Sequence, residues 1–302
     1  MDLIAAEGIE KRFGQLTALR DISLRVRRGE LYGLIGPDGA GKTTFFRILT
    51  TLMPPDGGRA TVDGLDIATD YRRIRAAVGY MPGRFSLYPD LTVKENLEFF
   101  ATLFGTRLED NYDLIRDIYV QIEPFRSRRA GRLSGGMKQK LALCCALIHR
   151  PRVLFLDEPT TGVDVVSRHE FWDMLSGLKR QGITMLVSTP YMDEAVRCDR
   201  IALIQSGRLL SIDTPRGIIE NYPDALFEVR AENMRQLTDE IRKRCSPQSC
   251  FAFGRSLHVS FSRDDAEAPQ RMRAALTAAG CTNLEIAPIT PSIEDCFIQQ
   301  MR

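Results

Sequence analysis

A chain of 302 residues, 44% apolar and 26% charged, has room for one sizeable α/β core and a small second domain. Its 41 basic and 39 acidic residues are interspersed and leave a net charge of +2, which excludes the broad positive field of a nucleic-acid-binding protein. The longest apolar stretch, about Leu141 to Ile148, falls far short of the roughly 20 residues that span a bilayer.

The N-terminus lacks a basic segment followed by an apolar one, so a cytosolic chain without a signal peptide is expected. Cys144, Cys145, Cys198, Cys245, Cys250, Cys281 and Cys296 form no CxxC pair and no metal-ligand spacing with the three histidines. Reduced structural thiols are therefore expected.

Leu3 to Ile9 and Ile22 to Val26 alternate apolar and polar residues and predict antiparallel strands; Leu31 to Ile35, wholly apolar, predicts a buried parallel strand. A glycine-rich turn and a helix over Thr43 to Leu52 follow. A mostly helical insertion is expected over Leu87 to Leu147, with Val93 to Leu103 at helical spacing. Val153 to Leu156 and Ile183 to Val187 predict two more buried strands, separated by a helix around Glu170 to Leu178. This alternation implies a mainly parallel sheet with right-handed crossovers. After Arg216 the pattern changes. Strand-like Leu226 to Val229, Leu257 to Phe261 and Leu284 to Ile286 alternate with helical Met234 to Arg244 and Ala266 to Ala279, and a last helix runs from Ile293 to Met301. This β-α-β-α-β order suggests a small ferredoxin-like α+β appendage, with a boundary at Asn221 to Asp224.

Three motifs carry chemistry. Gly36, Pro37, Asp38, Gly39, Ala40, Gly41, Lys42 and Thr43 match the P-loop pattern between a buried strand and a helix, with Thr44 next in the helix. Glycines let backbone N–H groups converge on phosphate oxygens, Lys42 adds a point charge, and the Thr43 hydroxyl is placed to ligate Mg²⁺. The strand Val153 to Leu156 delivers Asp157 and Glu158 at its C-terminal end. Asp157 suits a Mg²⁺ ligand and Glu158 a group that polarises an attacking water. Ser134, Gly135 and Gly136 precede a helix expected over Lys138 to His149 and form a second phosphate cradle without a lysine. Alone, this third motif would read as an N-cap with a flexible Gly-Gly.

The P-loop, the Leu133 to Gln139 segment, the strand ending at Asp157 and Glu158, and the turn Thr161, Gly162, Val163, Asp164 stand in an order and spacing that resemble the nucleotide-binding subunits of ABC transporters. The resemblance covers about residues 3 to 216. It implies an α/β P-loop NTPase: a RecA-like core with an antiparallel β subdomain and a helical subdomain (about 87–147) within residues 1–222, plus a small α+β domain in 223–302. It also implies ATP and Mg²⁺ as ligands, ATPase activity, and two cassettes closing head to tail, of one chain or two. In that family Ser134 to Gly136 would cap the partner's γ-phosphate and Asp164 would lie at the dimer seam. Phe13 resembles the aromatic that stacks on adenine, with a core aromatic as the alternative. The tail, with Pro291 to Phe297, resembles the daunorubicin-resistance-like branch of ABC-2 exporters. That branch implies separate permease subunits, a permease contact around Phe85 to Phe104, and a peripheral position on the cytoplasmic face of the membrane. The basic cluster Arg126, Arg128, Arg129 and Arg132 reads as a solvated face, with a lipid-headgroup contact as the alternative.

Two positions depart from the family. Gly83 stands where a glutamine is expected, and Pro190 where a histidine would donate to the γ-phosphate; proline has neither a side-chain donor nor an N–H. Asp38, where asparagine is commoner, is a smaller departure. A slow ATPase of an exporter is the reading preferred, against an ATP-binding switch with degenerate hydrolysis. A soluble cassette acting on the ribosome or DNA is disfavoured by the single cassette and the absence of a concentrated basic tract.

Overall fold

In a computed structural model, which describes residues 1–84 and 86–301, the chain divides into two compact units, Met1–Pro215 and Arg216–Arg302. Tyr222, expected to close the first domain, thus belongs to the second unit. No helix among the described residues is long and apolar enough to cross a membrane. All seven cysteines are free thiols, and burial pushes Cys144, Cys145 and Cys198 well above the ordinary thiol range.

The first unit opens with two long strands, β1 (Asp2–Phe13) and β2 (Leu16–Arg27), whose alternating residues bury Ile4, Ile9, Ile22 and Val26. Gly14, at φ +58°, begins the two-residue turn between them, and the tight turn pairs Phe13 with Leu16 at the hairpin tip. The buried strand β3 (Leu31–Ile35) follows and feeds the P-loop and helix α1 (Lys42–Leu49). That helix stops short of the expected Leu52 because Thr51 turns to φ +62°. Strands β4 (Gly57–Val62) and β5 (Leu65–Asp66), helix α2 (Tyr71–Ala77) and strand β6 (Val78–Met81) come next.

The helical segment contains α3 (Val93–Leu103), α4 (Tyr112–Tyr119) and α5 (Gly135–Leu147). Helix α3 is fixed at its start by a capping box, with Thr92 Oγ1 accepting from the Glu95 N–H and the Glu95 carboxylate accepting from the Thr92 N–H. Helix α5 begins at Gly135 rather than at the expected Lys138, because Ser134 Oγ accepts from the Met137 N–H and draws both glycines into the first turn. Leu141 to Ile148, the longest apolar run, is buried on every side in the core.

Strand β7 (Val153–Asp157), helix α6 (Val165–Arg180), strands β8 (Thr184–Thr189), β9 (Arg200–Gln205) and β10 (Arg208–Asp213) complete the unit. The central sheet has the order β10-β9-β3-β8-β7-β6, parallel throughout except for β10. A second, antiparallel sheet runs β2-β1-β4-β5. Parallel strands β3, β7 and β8 are buried along their whole length, as a sheet covered on both faces requires. Their C-terminal ends converge at one edge, so Gly36, Glu158 and Pro190 all emerge there.

Helix α7 (Pro215–Glu220) begins on the last residue of the first unit, and the second unit continues as β11 (Asp224–Arg230), α8 (Met234–Arg244), β12 (Ser249–Phe253), β13 (Ser256–Ser262), α9 (Ala268–Ala278), β14 (Glu285–Pro288) and α10 (Ile293–Gln300). Strand β12 was not expected; it forms a hairpin with β13 across Gly254, which takes φ +56°. With it the order becomes β-α-β-β-α-β on an antiparallel sheet β12-β13-β11-β14, the ferredoxin-like arrangement. Leu237 and Ile241 of α8 and Met272 and Leu276 of α9 pack on Val229, Leu257 and Val259 of the sheet.

Candidate functional site

The P-loop is shaped by steric necessity before any ligand is considered. A Cβ on Gly36 would lie 2.2 Å from the Ile204 carbonyl oxygen, and one on Gly41, which takes φ +106°, would lie 2.7 Å from the Ala18 oxygen. Gly207 presses on that same Ala18 carbonyl, so only glycine lets the β1–β2 hairpin, the loop and the β9–β10 turn approach this closely. Gly39, at φ +77°, instead faces open space. Ala40 is buried and its N–H donates to the Pro37 oxygen, while Asp38 is exposed at the tip.

Lys42 is buried, with Nζ donating to the carbonyls of Gly36 (2.7 Å) and Pro37 (2.9 Å) and paired with Glu158 Oε1 at 3.0 Å. Glu158 itself sits at φ +50°, outside the range an L-residue prefers, and is held there by its N–H donating to both the Ser188 carbonyl and the Ser188 hydroxyl at 3.0 Å. One residue earlier, Asp157 Oδ1 accepts from Ser188 Oγ at 2.7 Å and from Thr43 Oγ1 at 3.2 Å. Two oxygen donors at that separation, one of them a carboxylate, fit a hard divalent cation such as Mg²⁺.

Burial raises the Asp157 carboxyl above its ordinary value against the hydrogen bonds from Ser188 and Thr43; the Glu158 charge adds to the rise and Lys42 opposes it. Nearby, burial and then the Asp157 charge push the Tyr80 phenol up to about 12. A carboxyl raised in the folded state helps most below its unfolded value, and that help is lost as pH rises through the folded value. Ionised Asp157 therefore costs the ligand-free fold stability at pH 7. Asp157→Asn, which keeps an acceptor for Ser188 and Thr43, is expected to raise the thermal midpoint at pH 7, with the difference narrowing toward pH 4, and to weaken stabilisation by Mg-ATP. A thermal shift series across that range checks this, and a lower midpoint at pH 7 would refute it.

A cleft of about 390 Å³ opens over these groups, lined by Gly39, Gly41, Lys42, Thr43, Thr44 and Glu158 together with Phe13 from the hairpin tip. Phe13 is 45% exposed, so it is not a core aromatic, and its ring stands where a planar base could stack on it. Thr17, Arg20 and Ser206 also line the cleft and carried no sequence signal. They reach it through chain reversals far from the P-loop.

Ser134, Gly135 and Gly136 are not among the residues lining that cleft. Gly135 instead lines a separate cavity of about 170 Å³ with Gly83, Gly162 and Val163, and Glu158 borders both. Asp164 caps α6 by accepting from the Ser167 N–H at 3.0 Å, the bond that lowers its carboxyl below the ordinary value. Beside it Val165 and Val166 are 64% and 69% exposed. One chain thus gathers the P-loop, the acidic pair and Phe13, and holds the second cradle apart.

Gly83 lies against the end of β7, where a Cβ would stand 2.9 Å from the Asp157 carbonyl oxygen. Pro190 follows Thr189, whose carbonyl accepts from the Gly36 N–H at 3.2 Å. None of the three histidines replaces a donor there. His149 bonds the Val78 carbonyl, His169 pairs with Arg197, and His258 meets Asp295 in the second unit.

Comparison with known proteins matches a family model described as ABC transporter over residues 19–161. The chain is 37% identical over 302 residues to the probable multidrug ABC transporter ATP-binding protein YbhF of Escherichia coli (strain K12). That match covers 98% of this chain and 51% of the relative, so the chain spans about half of that protein's length. It is 36% identical over 299 residues to the Nod factor export ATP-binding protein I of Burkholderia lata, covering 96% and 94%. Identity to the daunorubicin resistance ATP-binding protein DrrA2 of Streptomyces coeruleorubidus is 42% over 227 residues, covering 71% and 68%. Among solved structures, an ATP-binding subunit of an ABC transporter superposes with a TM-score of 0.66 at 27% identity, covering 73% of this chain and 93% of that one.

Proposed function

Because this chain belongs to the ABC transporter family, as one of its ATPase cassettes, we propose that it binds Mg-ATP and hydrolyses it to power export through a separate ABC-2 type permease. The observation that carries the reading is the convergence of Lys42 with Glu158 (3.0 Å) and of Thr43 with Asp157 (3.2 Å) at the mouth of one cleft. Thr43 and Asp157 would hold Mg²⁺, which when bound neutralises charge on the transferred phosphoryl group. Lys42 exchanges its Glu158 partner for the nucleotide phosphates. That exchange frees the Glu158 carboxylate to orient a water and accept its proton. The P-loop amides and the start of α1 supply the remaining positive potential. Phe13 stacks on the base.

The separation of the Ser134 to Gly136 cradle from the cleft supports a two-cassette assembly in which each chain completes its partner's site. The exposed Val165 and Val166 beside Asp164 support the same seam. Relatives named for multidrug transport, Nod factor export and daunorubicin resistance support export as the direction.

For the permease, an apolar cavity of about 200 Å³ between Met81, Leu87, Phe100, Phe104, Ala146 and His149 offers a seat for a helix of the membrane partner. Phe104 is stacked on His149 at 3.8 Å within it. Phe85, the start of the expected contact, lies outside the described residues. This seat would put the chain on the cytoplasmic face of the membrane. A photo-crosslinking residue at Phe104 is expected to capture an integral membrane polypeptide in intact cells, with ATP turnover in the captured complex exceeding that of the free chain. Crosslinks to soluble proteins alone would overturn the transport reading.

A second reading, an ATP-binding switch with degenerate hydrolysis, is favoured by Gly83 and Pro190. Tight ATP binding with no Glu158-dependent turnover would select it.

A further inference from the structure

Glu194 has a buried carboxylate, 4% exposed, in a chain whose other buried acid in this region belongs to the candidate metal site. Its Oε2 accepts from Thr189 Oγ1 at 2.5 Å and from Thr160 Oγ1 at 3.1 Å, and its Oε1 accepts from Arg168 Nε at 3.0 Å. Arg168 is itself fixed twice more. Its Nη2 donates to both oxygens of Asp193 at 3.2 Å, and its guanidinium lies 3.9 Å from the centre of the Tyr191 ring. Thr189 closes the corner by accepting from the Tyr191 N–H at 3.1 Å.

The three partners of this carboxylate come from three functional segments. Thr160 is two residues past Glu158. Thr189 precedes Pro190, and its carbonyl receives the first amide of the P-loop. Arg168 lies one turn into α6, the helix that Asp164 caps. Burying an ion pair contributes little net stability compared with apolar residues of the same size, because desolvation offsets the attraction. What such a pair supplies is fixed geometry. Thr160 and Thr189 are fully buried, so this joint sits behind the nucleotide cleft and not within it.

We propose that Glu194 is a positioning residue that locks the Glu158 segment, the Thr189–Tyr191 corner and the start of α6 into one body, so that nucleotide in the cleft is felt at Asp164. The inference rests on the cleft being the ATP site. Residues that touch nucleotide are displaced only slightly without the lock, yet the first turn of α6 is set free from them. A misplacement of the order of 1 Å remote from the chemistry can slow turnover about 100-fold.

In the full chain, Glu194→Gln puts an amide where a carboxylate faced Arg168. It is expected to lower kcat by about 10-fold or more while the Kd for a fluorescent ATP analogue stays within about threefold. Hydrogen exchange gives the readout that mere support of the fold would not move. Magnesium with a non-hydrolysable ATP analogue is expected to protect the peptide containing residues 164–168 in the parent chain and not in Glu194→Gln. Arg168→Lys, which keeps the charge but gives up the Asp193 bonds, is expected to fall between, and the double variant to be no worse than the worse single one. Unchanged kcat and protection in Glu194→Gln, an absence of protection in the parent, or kcat, ATP affinity and folded fraction falling together would each overturn the proposal. ATP binding without turnover in the parent would overturn the hydrolytic reading alone, since the exchange measurement needs binding and no hydrolysis.

Discussion

Glu158→Gln is expected to lower ATP turnover by about 100-fold or more while leaving ATP affinity unchanged or tighter. The substitution is nearly isosteric and leaves the backbone anchors of Glu158, the carbonyl and hydroxyl of Ser188, in place. Lys42 keeps its bonds to the Gly36 and Pro37 carbonyls, so it stays aimed into the loop. What disappears is the negative charge 3.0 Å from Lys42 and the base that would take a proton from water. The first loss removes a competitor for Lys42 and favours the phosphates; the second stops the chemistry. Steady-state phosphate release beside equilibrium binding separates the two effects. Residual turnover within threefold of the parent chain would show that Glu158 is not the base.

Pro190→His and Gly83→Gln restore the residues that the family resemblance expects at those positions, and the two are expected to behave differently. Residue 190 follows Thr189, whose carbonyl holds the first P-loop amide, so an imidazole there adds a donor beside the candidate phosphate site. One positioned donor is commonly worth about 100- to 1000-fold in turnover, and Pro190→His is expected to recover at least about 10-fold of it. Gly83→Gln meets an obstacle that the sequence does not reveal. Its Cβ would stand 2.9 Å from the Asp157 carbonyl, so β7 must shift, and Asp157 and Glu158 shift with it. That variant is expected to lose turnover and thermal stability together. Rate and thermal midpoint measured on both variants check the pair of expectations, and a faster Gly83→Gln would contradict the steric argument.

The contrast bears on what could be read before the fold was known. The P-loop and the acidic pair are legible because each is contiguous and each follows an unbroken apolar strand. Phe13 is different. Its place beside the P-loop depends on a hairpin turn at Gly14 and on three carbonyl-to-glycine contacts that join distant segments, so only the family resemblance pointed to it. Ser188, which holds both Asp157 and Glu158, gave no local signal because its neighbours across the sheet are fixed by strand register, not by spacing. Strand β12 escaped notice for an opposite reason, since Phe251 and Ala252 are exposed and its five residues do not alternate cleanly. Strands β9 and β10 were likewise not expected, although Ile201 to Ile204 is a buried apolar run of the same kind as those of β3 and β7, and β9 pairs in parallel with β3. The helical start at Gly135 differed from expectation because two glycines in a row read as loop. A single serine hydroxyl overrode that preference.

That hydroxyl has a further consequence. Ser134 Oγ spends a lone pair on the Met137 N–H and keeps its own proton free. The acceptor half of the group holds the backbone, and in the two-cassette assembly proposed above the donor half would serve the partner's phosphate. Aspartate would cap the helix equally well and repel the anion, asparagine would cap it with a differently placed donor, and alanine would serve neither purpose. Of the usual capping side chains only serine and threonine keep both halves on one atom, so the proposed assembly would narrow the alphabet at this position to two letters where helix capping alone admits more.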